Sequence, residues 1–294
     1  MGIGDFYINN LKKLQVIPII ILILSLSLLF YNYSSKGQFL EKDITLKGGS
    51  VITITTDKSA ENIESFLDSR FNADFSIKRL AEFGTSAPKG IVIETNLENV
   101  ADLKTTLEEF LKIKLTNENF SVEVTSSSLG EAFSSQIITA MIAAFILMAI
   151  VIFIVFRVLV PSIAVIFAAV FDILVAMAGM NILGIKLSTA TAAALLLLIG
   201  YSIDTDILLT TKLLKRKMDN VSLSEKIFES IRTGSTMTFA ALAAILVGYI
   251  VTSSFIMKDM FLVIIIGLIA DLFSTWLVNV YVLKSYIARH EKNG

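Results

Sequence analysis

The stretch that decides the fold is ATAAALLLLIGYSIDTDILLTTKLL, residues 190–214. It is longer than the about 20 predominantly apolar residues that a helix needs to cross a bilayer. Nevertheless it carries two carboxylates, Asp204 and Asp206, inside the apolar run. Ionisable side chains within a membrane cost several kcal/mol unless they face protein or water, so this stretch predicts a functional site.

The composition of the whole chain also indicates an integral membrane protein. Of 294 residues, 54% are hydrophobic and only 17% are charged. Such values with long apolar runs exclude an ordinary soluble globule. The chain has no cysteine, and its one histidine, His290, lies in the polar C-terminal tail. Because zinc, haem and serine-histidine chemistry lack their side chains, we expect no catalytic residue, no metal, no cofactor and no enzyme activity.

The apolar runs predict six transmembrane helices. The first is expected to stay uncleaved, because its small-residue pattern Ser25-Leu26-Ser27 lies inside the apolar run. The predicted spans are residues 14–33, 137–156, 162–183, 190–214, 237–251 and 260–283. Lys and Arg are concentrated before the first span, in the loop 212–232 and after the last span. By the positive-inside rule, both termini and this loop are predicted to be cytoplasmic in a plasma-membrane protein.

Residues 34–135 are predicted to form an extracytoplasmic domain, between the segments 1–33 and 136–294. Its apolar residues follow short alternating or helical patterns in the order βαββαβ. This order predicts a ferredoxin-like α+β domain, in which two helices cover one face of a four-stranded antiparallel sheet. The predicted strands begin near residues 51, 75, 91 and 120, the helix caps are Ser59 and Asn96, and one turn contains Gly84, Pro88 and Gly90. Acidic residues outnumber basic ones here, which argues against nucleic-acid binding.

Two further carboxylates, Asp172 and Asp271, lie near the middle of the third and sixth spans. Small and polar residues at helical spacing mark helix contacts in membranes, so both are predicted to point into a bundle. Asp172 shares its stripe with Ala164, Ala168 and Ala176; Asp271 shares its stripe with Gly267, Thr275 and Asn279. No Lys or Arg lies in the middle of a span. A proton, a bound cation or another chain is therefore expected to neutralise these carboxylates.

In the fourth span, Ala193, Gly200 and Asp204 share one face. This face is predicted to pack closely inside the bundle, which favours Asp204 over Asp206 as the inward group. Asp206 is open to two interpretations, a relay group or a hydrated helix end. The fifth span offers Ala240, Ala244 and Gly248 as a second close-packing surface. The candidates for a proton or cation relay are Asp204, Asp206, Asp172 and Asp271.

Three motifs resemble those of the SecF family, in the resistance-nodulation-division superfamily. The first is GYSIDTDILL, residues 200–209, with Gly200, Tyr201 and Ser202. The second is Leu46-Lys47-Gly48-Gly49, and the third is Ser128-Leu129-Gly130-Glu131-Ala132. Where bacterial members have Asn-Asp-Thr, this chain has Asp204-Thr205-Asp206, which looks closer to archaeal members.

The resemblance implies a function in protein export. Such proteins pair with SecD, a homologous six-span subunit, at the Sec translocon channel. They use the proton or sodium gradient to help draw secreted polypeptides outward, with membrane lipid around them. Two other functions stay open on the sequence: a small-molecule or lipid exporter that works as a homodimer, and a translocon scaffold that uses no energy.

Overall fold

The structure is a computed structural model. It describes residues 3–57, 62–71, 73, 75–81, 88–97, 99–214, 222–252 and 254–293. The predicted cap Ser59 and the predicted turn residue Gly84 lie outside these ranges. Within them, six helices are long and apolar enough to cross a membrane. The chain is therefore a multi-pass membrane protein, as the sequence predicts.

The N-terminal segment forms two successive helices, α1 (Ile3–Leu14) and α2 (Val16–Lys36). Helix α2 ends at Gly37, which adopts a left-handed conformation with φ of 70° and donates its N–H to the carbonyl oxygen of Tyr33. Glycine reaches this conformation without a steric penalty, which explains the sharp end of the helix. The first predicted span thus corresponds to α2.

A small antiparallel sheet follows in the chain. Its elements are α3 (Ile44–Lys47), β1 (Gly49–Thr55), α4 (Ile63–Arg70), β2 (Phe75–Ala81), β3 (Pro88–Thr95), α5 (Ala101–Leu111) and β4 (Phe120–Thr125). The strand order is β2-β3-β1-β4, and all three pairings are antiparallel. Apolar side chains of one sheet face, among them Ile52 and Ile93, pack against Leu67 of α4 and Leu107 of α5. The other face of the sheet, which carries Lys78 and Glu94, is free of these helices.

Two local predictions in this domain are wrong. Asn96 does not cap the second helix, because α5 begins only at Ala101, whose N–H donates to the side chain of Asn99 at 3.1 Å. Pro88 and Gly90 do not form a turn but belong to β3. Pro88 is the first residue of that strand, a position where the missing N–H of proline is tolerated.

The membrane part contains five further long helical segments. They are α6 (Ser127–Phe156), α7 (Leu159–Leu183), α8 (Thr189–Leu214), α9 (Leu223–Val251), and a last segment made of α10 (Phe255–Phe273), a π-helix (Ser274–Asn279) and α11 (Val280–Asn293). Helices α6 and α9 begin well before the predicted apolar spans, because their N-terminal parts are too polar to be recognised as part of an apolar run. The second half of the predicted loop 212–232 is therefore helical, since α9 begins at Leu223. Ser222 and Glu225 form a capping box at the start of α9.

Helices α7, α8 and α10 form the centre of the bundle. About half of the apolar window of each is buried, and far less of α6 and α9. A Cβ atom at Gly267 of α10 would lie 2.3 Å from Leu198 Cδ1 of α8. A side chain at position 267 would therefore force Leu198 to move, and glycine lets these two helices approach closely without that change. The centre of the bundle is where the carboxylates meet.

Candidate functional site

Three carboxylates from three different helices meet in the bundle. Asp172 on α7, Asp206 on α8 and Asp271 on α10 are each at most 1% exposed. The prediction that Asp172 and Asp271 point into the bundle is confirmed by this burial. Among the ion pairs formed by the residues that the structure describes, none involves these three side chains.

Both carboxylate oxygens of Asp172 have hydroxyl partners. Ser202 of α8 donates its hydroxyl to Asp172 Oδ2. Ser274 of the π-helix lies with its hydroxyl oxygen 2.9 Å from Asp172 Oδ1, and also 3.2 Å from the carbonyl oxygen of Asp271. Asp172 is thus the point at which α7 is linked to α8 and to the last segment.

The hydroxyl of Thr275 lies between the other two carboxylates. Its oxygen is 2.9 Å from Asp206 Oδ1 and 3.0 Å from Asp271 Oδ1. A threonine hydroxyl has one hydrogen to donate, so it serves only one carboxylate as donor. The other contact becomes a hydrogen bond when that carboxyl group carries a proton. The geometry therefore fits a pair of carboxylates that share at least one proton.

Asp206 also accepts a hydrogen bond from Asn279 Nδ2 at 2.6 Å. Its second oxygen, Oδ2, and Asn279 Oδ1 are buried without a hydrogen-bond partner among the described residues. A buried polar atom without a partner costs about 1–3 kcal/mol. These oxygens are acceptors, and they suit a proton, a water molecule or a hard cation. The described residues include no cluster of three or more His, Cys, Asp or Glu side chains placed to hold a metal ion.

The π-helix is part of the site, and no pattern in the sequence predicts it. Its residues Ser274, Thr275 and Asn279 all contribute side chains to the carboxylates. The wider turn is visible in the backbone, because the N–H of Val280 donates to the carbonyl oxygen of Thr275. Single π turns inside α-helices are frequent at functional sites. The stripe of Asp271, Thr275 and Asn279 was visible in the sequence, but Ser274 was missed.

The prediction for the orientation of α8 is wrong. Asp204, favoured as the inward group, is exposed, whereas Asp206 is 0% exposed. Asp204 and Asp206 are two residues apart, so at 3.6 residues per turn their side chains point in directions about 200° apart. Both therefore cannot face inward. The stripe of Ala193, Gly200 and Asp204 exists, but it lies on the outside of this chain. A Cβ atom at Gly200 would meet no atom of the described residues within 4 Å, so this glycine does not serve close packing among them.

The other residues of the signature on α8 divide between the two faces. Ser202 and Thr205 are buried, while Tyr201 is 39% exposed. On α9, Ala240 and Ala244 are exposed, and only Gly248 is close to a neighbour, since a Cβ atom there would lie 2.9 Å from Phe261 Cζ of α10. The prediction of a packing surface on α9 therefore holds only for Gly248 within this chain.

The glycines of the two remaining motifs contact each other. Gly48 and Gly49 have φ angles of 88° and 133°, which side chains rarely tolerate. A Cβ atom at Gly48 would lie 2.5 Å from Ser127 Cα, and one at Gly130 would lie 2.8 Å from Gly48 N. The two motifs thus join the start of β1 to the start of α6 through a direct backbone contact.

Comparisons with known proteins agree with this architecture. The family "Protein export membrane protein SecD/SecF, C-terminal" matches residues 105–289. The "Protein-export membrane protein SecF" of Pyrococcus furiosus is 37% identical over 281 residues, which cover 95% of this chain and 92% of that protein. The protein of the same name from Methanocaldococcus jannaschii is 38% identical over 290 residues, which cover 96% of this chain and 98% of that protein.

A solved structure shows the same fold. The crystal structure of SecDF from Thermus thermophilus, described as a translocon-associated membrane protein, matches 98% of this chain with a TM-score of 0.76 at 18% identity. This chain spans 40% of the length of that SecDF chain. The family match and the full-length relatives decide the assignment: the chain belongs to the SecF family of protein-export membrane proteins.

Proposed function

We propose that the protein acts with SecD at the Sec translocon and promotes late steps of protein translocation by means of the transmembrane ion gradient. Membership of the SecF family supports the role in export. The observation that carries the ion-coupled part is the buried site itself. Asp172, Asp206 and Asp271 meet on three helices without a cationic partner among the described residues, and Thr275 bridges two of them.

The proposed coupling step is a change of charge between α8 and α10. When one proton or cation is bound, Thr275 and the neutralised pair hold the two helices together. When it leaves, two carboxylates repel each other in an environment of low dielectric, and the contact between Asp206 and Asp271 opens. One charge that crosses 100 mV supplies about 2.3 kcal/mol. A hydrogen bond to a charged group contributes about 1.5–3 kcal/mol, so the free energy supplied by one ion is of the same order as the contribution of the Thr275 bridge.

We further propose that SecD covers the exposed face of α8. This face carries Asp204 beside Ala193 and Gly200, with Tyr201 at its edge. A carboxylate that faces lipid is costly, and small residues allow a second helix to approach closely. The SecDF chain of the solved structure is also long enough to contain a second unit of this size. Asp204 would then belong to the interface between subunits and Asp206 to the site within this chain.

The sheet domain is proposed to be ferredoxin-like, extracytoplasmic and in contact with the secreted polypeptide, with both termini in the cytoplasm. Its element order β1, α4, β2, β3, α5, β4 and its strand order support the fold. The distribution of Lys and Arg supports the orientation. In this arrangement residues 1–33 and 136–294 form the membrane part and residues 34–135 the outer domain.

The test is gradient-driven export into vesicles that contain the complex of this chain with SecD. The variant Asp206→Asn keeps the size of the side chain but cannot cycle its charge, and it is expected to abolish the dependence of export on the gradient. Asp68→Asn, at an exposed carboxylate of α4, is the matched control and is expected to behave as the unmodified protein. Removing the proton gradient and the sodium gradient in separate arms identifies the ion.

Three results would contradict the proposal. Unchanged gradient dependence in Asp206→Asn would remove this residue from the coupling step. Full export after both gradients are dissipated would instead favour a scaffold without energy use. Purification of an active homodimer that exports small molecules or lipids, without a six-span partner, would favour the exporter.

A further inference from the structure

Four charges of alternating sign connect the sheet domain to the membrane helices. Lys186 Nζ lies 3.3 Å from Glu94 Oε2, and Lys78 Nζ lies 2.8 Å from Glu94 Oε1. Lys78 Nζ is also 3.9 Å from Asp259 Oδ2. We call Lys186, Glu94, Lys78 and Asp259 the junction cluster. It runs from one membrane element through the sheet to another membrane element, with a net charge of zero.

Each side of the junction contributes one positive and one negative charge. Glu94 of β3 and Lys78 of β2 lie on the helix-free face of the sheet, because Ile93 and Ile77 beside them belong to the apolar core on the other face. Lys186 lies in the loop between α7 and α8, and Asp259 lies near the start of α10. The helix-free face of the sheet is thus the face that meets the membrane helices.

The cluster is largely withdrawn from solvent. The side chain of Glu94 is 7% exposed, and those of Lys186, Lys78 and Asp259 are between 24% and 30% exposed. Burial acts to raise the pKa of Glu94, but its contacts with Lys78 and Lys186 lower the pKa overall. By contrast, Arg70 and Glu109 form an ion pair on the domain surface with exposures of 45% and 63%. Exposed pairs contribute little, whereas a buried charge that loses its partner is strongly destabilising.

A backbone contact fixes the same junction. The N–H of Asp43 donates to the carbonyl oxygen of Leu187 at 2.8 Å, and the N–H of Leu187 donates to the carbonyl oxygen of Glu41 at 2.7 Å. The segment that leads into the sheet domain therefore pairs with the loop that carries Lys186. The Asp43 carboxylate lies close enough to the cluster that burial and the charge of Glu94 raise its pKa.

The membrane side of the junction belongs to the helices that hold the buried carboxylates. Lys186 precedes Thr189, the first residue of α8, and follows α7. Asp259 lies on α10, the helix that carries Asp271. The three helices of the buried site therefore all lead directly to the charges that contact the sheet.

We propose that the junction cluster is an electrostatic latch that docks the helix-free face of the sheet onto α7, α8 and α10 and sets the position of the domain relative to them. Glu94 is the positioning residue, since it contacts a lysine on each side. The docking does not depend on the proposed function. Its use in export rests on that function, because a movement of α10 against α8 would change the distance between Asp259 and Lys186.

The test reverses charges on one side of the junction at a time. The domain swap, Glu94→Lys with Lys78→Glu, keeps opposite charges within the sheet but places like charges across the junction. The membrane swap, Lys186→Glu with Asp259→Lys, produces the same repulsion and leaves the domain sequence untouched. The combination of both swaps restores opposite charges across the junction. If the swaps only damage folding, their effects should add in the combined variant. If the latch is correct, the combined variant should regain the docked position of the domain.

The readout is the distance between two spin labels in the full-length protein in lipid nanodiscs. The natural chain has no cysteine, so single cysteines at Thr105 on α5 and Ile182 on α7, both exposed, give unambiguous labelling. The unmodified protein is expected to give one narrow distance distribution, each swap a broad and longer one, and the combined swaps a narrow one again. The control swap Arg70→Glu with Glu109→Arg should leave the distribution unchanged.

Either of two results would overturn the latch. One is a narrow, unshifted distribution in both single-side swaps, which would show that other contacts dock the domain. The other is a combined variant as broad as the single-side swaps, which would show that the charges do not act across the junction. Because the spin-label distance does not depend on export, a result against the latch is distinct from a result against the proposed function.

Discussion

Thr275 lies between Asp206 and Asp271, with its hydroxyl oxygen 2.9 Å and 3.0 Å from the nearest oxygen of each carboxylate. This one side chain joins α8 to the segment formed by α10 and the π-helix. Since a single hydroxyl hydrogen serves one acceptor, the arrangement links the number of bound protons to the packing of two helices.

The variant Thr275→Val tests this link. Valine has nearly the same shape but no hydroxyl, so the carboxylates lose their bridge. Hydrogen bonds to charged groups contribute about 1.5–3 kcal/mol, and we expect a loss of about tenfold or more in gradient-driven export. Thr275→Ser keeps a hydroxyl and should retain most of the gradient-driven export. Thr139→Val is the control, because among the described residues the hydroxyl of Thr139 donates to the carbonyl oxygen of Ser135, in its own helix, at 2.9 Å. Equal activity of Thr275→Val and the unmodified protein would contradict the bridge.

Substitutions at Gly200 and Gly267 distinguish helix packing within the chain from helix packing against a partner. Gly200→Leu should leave the thermal stability of the isolated chain unchanged or slightly higher, because its side chain enters open space and leucine favours helix by up to about 1 kcal/mol over glycine. The same variant should copurify less SecD. Gly267→Ala should instead destabilise the isolated chain by about 1–3 kcal/mol, because the new methyl group overlaps Leu198. Destabilisation by Gly200→Leu in the isolated chain would disprove the assignment of this face to a partner.

The close approach of Gly49 to the end of β3 predicts unequal effects of alanine at two glycines. Gly49→Ala should destabilise the protein by at least about 2 kcal/mol, since φ is 133° and the added Cβ atom would lie 2.3 Å from the carbonyl oxygen of Thr95. Gly37→Ala should cost only about 1–2 kcal/mol, because φ is 70° there but no atom of the described residues lies within 4 Å of the added Cβ atom. Thermal unfolding of the full chain in detergent measures both. A smaller loss for Gly49→Ala than for Gly37→Ala would refute the close contact.

Acidification should release the junction cluster. The pKa of Glu94 is lowered below its ordinary value of 4.5, so its contribution to docking is fully present above that pH and is lost as the pH falls through the folded pKa. Lys78, Lys186, Asp43 and Asp259 are the charged groups around it. Asp43 acts in the opposite direction, because its pKa is raised and its protonation relieves repulsion. The spin-label distance should therefore broaden below about pH 4.5, and more steeply in Asp43→Asn. A distance distribution that does not change as the pH falls below 4.5 would contradict this prediction.

The sequence alone determined the membrane class, the approximate spans and the inward orientation of Asp172 and Asp271. The inward faces of α7 and α10 were predictable because small and polar residues lie on one stripe of each helix. The sequence also predicted the strand at Phe120–Thr125, where apolar and polar residues alternate. In such elements the burial of one face is the dominant free-energy term, and the periodicity of the sequence records it directly.

Only the tertiary structure decided the orientation of α8, the π-helix and the junction cluster. Both faces of α8 carry small or polar residues, so periodicity does not distinguish the face toward this chain from the face toward a partner. The wider turn at Ser274–Asn279 changes which side chains share a face, and those side chains contact Asp172 on α7 and Asp206 on α8. Glu94 and Lys186 are distant in sequence, and they meet because the sheet is docked onto the membrane helices. The hydrophobic pattern of a sequence indicates which residues are buried, whereas the neighbours of each buried residue depend on packing in three dimensions.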